Sequence, residues 1–110
     1  MAKIVIPISD NRLSNQFKDC AYYYVFETDQ RNVVSIVREN NCKISLNDLE
    51  TWITEIGITD IITHKIDKSY VEYFSDTKVN LYVGVNINTS EKLIDDYLKG
   101  TLKSNTQLIS

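Results

Sequence analysis

The stretch "KIVIPI" (Lys3 to Ile8) is almost wholly apolar and β-branched, the pattern of a strand buried on both faces. Pro7 near its end offers no amide hydrogen, so pairing is expected to stop there. "SDNRLSNQ" predicts a polar loop, "AYYYVFE" (Ala21 to Glu27) a second strand, "TDQR" a tight turn, and "NVVSIVRE" (Asn32 to Glu39) a third strand. A turn that short makes a hairpin, so the second and third strands are antiparallel. The period then changes. In "ISLNDLETWITEIG" the residues Leu49, Trp52, Ile53 and Ile56 recur along one helical stripe. Ser45 with Asp48 predicts an N-terminal cap, Ile44 with Leu49 a hydrophobic staple, and Gly57 a stop. "TDIIT" (Thr59 to Thr63) predicts a fourth strand. "DKSYVEYFSDT" predicts a short helix capped by Asp67, stapled by Ile66 and Val71, with Tyr70, Val71 and Phe74 inward. "VNLYVGV" (Val79 to Val85) predicts a fifth strand, and "SEKLIDDYLKG" (Ser90 to Gly100) a third helix burying Leu93, Ile94, Tyr97 and Leu98.

The order β-β-β-α-β-α-β-α implies a hairpin followed by right-handed crossover units. The expected fold is a single-domain α/β protein of ribonuclease-H-like architecture. Its five-stranded mixed sheet runs in spatial order 3-2-1-4-5, with strand 2 antiparallel to the others and helices on both faces. Residues 1–102 form the domain in this reading, and 103–110 a loosely held tail.

Composition narrows the partners. The 110 residues are 43% apolar and 25% charged, as in ordinary globular domains. Net charge is -3 with no basic block, so nucleic acid and anionic membrane surfaces are not expected partners. The opening "MAKIVIPISD" is too short an apolar run for an export signal or a membrane span. A cytoplasmic protein with Cys20 and Cys42 as reduced thiols is therefore expected.

Four stretches together resemble the dinitrogenase iron–molybdenum cofactor biosynthesis family: "KIVIPISDN", "NQFKDCAYYYVFETD", "GITDIITHKI" and "TSEKLIDDYLKGTL", covering about residues 2 to 102. The resemblance implies a small, non-catalytic, cytoplasmic domain whose loops hold an iron–sulfur-type metallocluster. Its His-Phe-Gly corresponds to Gln16-Phe17-Lys18 here, its glycine-rich loop after the third strand to "NNCKISLN", and its glycine turn after the fourth strand to His64-Lys65-Ile66-Asp67. Asp10, Gln16, Phe17, Lys18, Cys42 and Lys65 are thus the implied cofactor-binding positions. Glycines in such loops let backbone N–H groups approach a bulky anion, and side chains stand at those positions here. The alternative is a protein interaction or regulatory module that keeps the fold without the cofactor.

The expected topology also gathers chemistry by itself. Asp10 follows strand 1, Cys20 precedes strand 2, Cys42 follows strand 3 and His64 follows strand 4, all at the sheet edge where such folds place ligands. Cys20, Cys42 and His64 form the candidate metal set, since thiolate and imidazole suit zinc, copper or an iron–sulfur species. Against this, no Cys-x-x-Cys spacing is present, and reduced cysteines are commonly plain packing residues. Lys18, Lys43 and Lys65 would favour a small anion at the same edge. Tyr22 to Tyr24 fit sheet packing better than base stacking, because no basic surface accompanies them. A two-metal nuclease is excluded: the first strand carries no carboxylate, and Asp60 lies at the opposite edge. His64 is the only histidine and no nucleophile elbow accompanies it, which leaves hydrolysis without machinery.

Overall fold

β1 (Ala2–Ser9) runs through the middle of the sheet and divides the interior in two. Its alternation does the dividing. Val5 joins one apolar cluster, while Ile4, Ile6 and Ile8 join another on the opposite face. The computed structural model describes residues 2–40 and 45–104. β3 (Tyr22–Asp29) flanks β1 on one side and pairs with it antiparallel from Ala2↔Thr28 to Ile8↔Tyr22. β4 (Asn32–Glu39) continues outward, antiparallel to β3, through a two-residue turn whose Gln30 takes a φ of 58°. On the other side β5 (Asp60–Ile62) and then β6 (Asn80–Tyr82) run parallel to β1.

Among the described residues the sheet has six strands where five were expected. The additional one, β2 (Arg12–Leu13), folds back on β1 with Ile8↔Leu13 and Ser9↔Arg12 paired, and lies off the path β4-β3-β1-β5-β6. Asp10 and Asn11 make the turn, at φ 52° and 64°, the left-handed pair that a tight hairpin needs. Pairing therefore does not stop at Pro7, which sits opposite Tyr23. Proline lacks only a donor, and its carbonyl still accepts from the Ser14 amide at 2.8 Å. The parallel ladder to β5 has already ended at Val5, so the missing N–H interrupts nothing there. β6 is also shorter than the expected Val79 to Val85. Beyond it Gly84 and Val85 still donate to the carbonyls of His64 and Thr63, at 2.8 and 3.2 Å.

Helices cover both faces. α1 (Leu46–Thr51) begins at Ser45 with the expected capping box: Ser45 Oγ accepts from the Asp48 amide, and Asp48 Oδ2 from the Ser45 amide. The expected single helix is interrupted, because Trp52–Ile56 widens into a π-helical turn that ends at Gly57 with φ 83°. The proposed staple residue Ile44 lies outside the described residues. α2 (Lys68–Ser75) places Tyr70 and Phe74 with Leu49, Trp52 and Val5 in the first cluster. α3 (Ser90–Lys99) starts at a Thr89 cap, buries Leu93 and Ile94 in the second cluster, and stops at Gly100 with φ 72°. Of the expected tail, only residues 103 and 104 are described.

Candidate functional site

Two loops are tied together at the sheet edge where β1 and β5 end. The segment after β2 meets the segment after β5 in an isolated parallel bridge, Gln16↔Lys65. The Phe17 amide donates to the Lys65 carbonyl at 2.9 Å, and the Lys65 amide to the Asn15 carbonyl at 3.1 Å. Ser14, nearly fully buried, donates from Oγ to the Asp19 carbonyl at 2.7 Å and so folds residues 14–19 into a closed loop. Gln16 and Lys65 therefore lie side by side, with Lys18 and His64 in the same two segments.

Phe17 belongs to the interior of that loop. It is buried against Tyr23, Tyr70 and Phe74, with ring centroids 5.6, 5.4 and 6.4 Å away. Tyr23 Oη donates to the Phe17 carbonyl at 2.5 Å, so both the ring and the backbone of this residue hold the loop down. Cys20 is 8% exposed and lies in the same cluster. Asp10 stands exposed in the β1–β2 turn. Cys42 and Lys43 lie outside the described residues, as do the other residues of 41–44 in the loop after β4.

Charge at the rim differs from the expected field of lysines. Lys18 Nζ meets Asp67 Oδ2 at 2.6 Å, and this hydrogen bond and attraction raise the lysine pKa above its ordinary value. Asp67 was expected to cap α2. It occupies the cap position with no side-chain cap bond, its carboxylate being engaged by Lys18 instead. A lysine whose charge is already matched adds little pull on an anion, whereas Lys65 forms no ion pair among the described residues.

His64 is half-buried, and its Nδ1 lies 2.8 Å from the Val85 carbonyl oxygen. A carbonyl can only accept, so Nδ1 carries the proton and a neutral ring keeps its lone pair on Nε2. Orientation of an imidazole through its far nitrogen is how ligating histidines are commonly held. Nothing in the sequence pointed to Val85 as that anchor, or to Asp67 as the partner of Lys18.

Among the described residues no three His, Cys, Asp or Glu side chains gather to hold a metal ion. A resident cluster fixed by several side chains does not fit those residues.

No family model matches the chain, and no curated protein does. Solved structures match closely in shape. The structure of PH0822 has a TM-score of 0.79 at 21% identity, covering 94% of both chains. A candidate dinitrogenase (MJ0327) from Methanocaldococcus jannaschii has a TM-score of 0.76 at 23% identity, again over 94% of both. The apo form of the orange protein from Desulfovibrio gigas has a TM-score of 0.76 at 11% identity, over 96% of this chain and 93% of that one. Likeness at such identities shows a shared fold.

Proposed function

We propose that this chain is a small non-catalytic carrier of the nitrogenase-accessory kind, whose cargo is an anionic iron–sulfur-type metallocluster or a comparable small anion. The cargo is held at the rim of Gln16, His64 and Lys65, while Lys18 is tied to Asp67. The observation that carries this reading is the bond between His64 Nδ1 and the Val85 carbonyl, which leaves Nε2 of the neutral ring as the nitrogen able to ligate. The fold supports it, since the structures it resembles include a candidate dinitrogenase and an apo orange protein. The compartment is cytoplasmic in this reading, and no helix among the described residues is long and apolar enough to cross a membrane.

Anaerobic reconstitution with iron and sulfide tests the proposal, read by visible absorbance and metal content per chain after desalting. The wild type should retain coloured cargo, and His64→Ala should retain about tenfold less or lower still. A colourless wild type overturns the metallocluster cargo, and equal retention by His64→Ala removes His64 from the site. A second reading, an interaction module that keeps the fold without cargo, is favoured by the uncovered apolar residues of β4.

A further inference from the structure

β6 pairs with β5 residue for residue, Asp60↔Asn80, Ile61↔Leu81 and Ile62↔Tyr82, and a regular parallel ladder fixes what should follow. The Asn80 amide donates to the Thr59 carbonyl, so by steps of two the Gly84 amide should meet the Thr63 carbonyl. It does not. The Gly84 amide donates to the His64 carbonyl at 2.8 Å, and the Thr63 carbonyl accepts instead from the Val85 amide at 3.2 Å. One residue has slipped into the chain at Gly84, where φ is 70°. The side chains record the same slip. Residues two apart in a strand share a face, and Leu81 and Val83 both pack in the cluster under α1 and α2. Val85 should follow them, yet it is buried with Ile62 and Leu93 in the cluster under α3. An inserted residue that turns a strand over in this way acts as a bulge, a device that re-aims groups beside functional sites.

We propose that Gly84 is the positioning residue of His64: its left-handed backbone admits the extra residue that sets the Val85 carbonyl 2.8 Å from His64 Nδ1, and so fixes which ring nitrogen stays free. Two consecutive residues clasp the histidine, Gly84 through the backbone carbonyl and Val85 through the ring. Side chains with a Cβ are disfavoured at such a φ, β-branched ones most and asparagine least. If the backbone returned to a negative φ, the ladder would continue regularly and the Val85 carbonyl would leave the imidazole. A neutral ring with no acceptor at Nδ1 exchanges between its two tautomers. Gly84 acts through His64 and needs no contact with cargo. The orientation of the ring is independent of the carrier reading, and only its use as a ligand rests on that reading.

His64 is the only histidine of the chain, so its ring nitrogens give two unshared signals in a long-range proton–nitrogen correlation spectrum of the full-length, isotope-labelled protein. Recorded at about pH 8, above the ordinary histidine range, the wild type should show one nitrogen protonated and the other bare. Gly84→Val should bring the two signals about half-way together or closer, as the tautomers mix. Gly84→Asn, similar in bulk but tolerant of positive φ, should restore the wild-type pair. Far-UV circular dichroism checks folding, and Gly84→Ala is read in place of Gly84→Val if the latter does not fold. A merely structural glycine would lower the urea midpoint and leave the nitrogen signals where they are. Mixed tautomers in the wild type, wild-type signals in Gly84→Val, or equal loss in Gly84→Val and Gly84→Asn overturns the proposal. Loading the same variants with iron and sulfide separates it from the carrier reading. Retention should fall about tenfold in Gly84→Val and return in Gly84→Asn. A lost tautomer with unchanged retention supports Gly84 as the positioning residue and removes His64 from the cargo.

Discussion

Asp60 is 3% exposed at the start of β5, and a carboxylate that deep persists only where donors surround it. It has three. Tyr97 Oη donates to Oδ2 at 2.9 Å, Thr59 Oγ1 to the same oxygen at 2.7 Å, and Asn80 Nδ2 to Oδ1 at 3.1 Å. Tyr97 lies 37 residues further along the chain, so these bonds fasten α3 to the far edge of the sheet. Burial, and then the bond to Asp60, push the Tyr97 hydroxyl well above the ordinary 10.0, and burial raises Tyr82 beside it. A raised folded value means that the folded chain holds this proton more tightly than the unfolded one. The contribution is complete below about pH 10 and is lost as pH rises through the folded value. Tyr97→Phe should therefore cost roughly 1–3 kcal/mol at neutral pH, where Asp60 loses a donor. It should also flatten the alkaline decline, leaving the part due to Tyr82. Urea unfolding at about pH 8 and pH 10.5, followed by Trp52 fluorescence, measures both effects. Equal declines in the two proteins would refute the assignment.

At the scale of elements, local chemistry was readable and long-range accommodation was not. Ser45 with Asp48 announces α1 because both halves of a capping box lie within one turn. The π-helical turn that follows has no such local mark. There the Gly57 amide reaches back five residues to the Trp52 carbonyl at 3.0 Å, and Trp52 packs edge-on against Tyr23 with centroids 5.0 Å apart. Fitting the indole into a cluster built by other strands is a tertiary demand that an apolar stripe cannot express. The β1–β2 hairpin did carry a signal, the Asp10-Asn11 pair, whose side chains tolerate positive φ better than most. Gly57 closes the π-helical turn at φ 83°, and a Cβ added there would meet no atom within 4 Å. Gly57→Ala should still destabilise the fold by about 1–2 kcal/mol, because the penalty resides in the left-handed backbone rather than in a clash. Chemical denaturation would measure it, and an unchanged midpoint would show that the turn relaxes.

For the molecule as a whole, the meeting of the segments around Gln16 and Lys65 at one edge could be anticipated because connectivity dictates it. The partners inside that edge could not, because Lys18 with Asp67 and His64 with Val85 join residues separated along the chain and brought together only by the finished sheet. The same sheet couples the two halves of the interior. Val5 supports the cluster under α1 and α2, while its neighbours Ile4 and Ile6 support the cluster under α3. Neither cluster can lose order without releasing one face of β1, so the chain should unfold in a single cooperative step. Leu93, fully buried under α3, offers the sharpest test. Leu93→Ala should cost about 2–5 kcal/mol through the lost contacts and the cavity left behind. Trp52 sits in the opposite cluster and touches none of that space if the halves are independent. Its fluorescence should nevertheless report the same lowered midpoint as far-UV circular dichroism, with the two curves superimposed. A Trp52 transition that stays at the wild-type midpoint while circular dichroism shifts would mean that the two sides of the sheet fold separately.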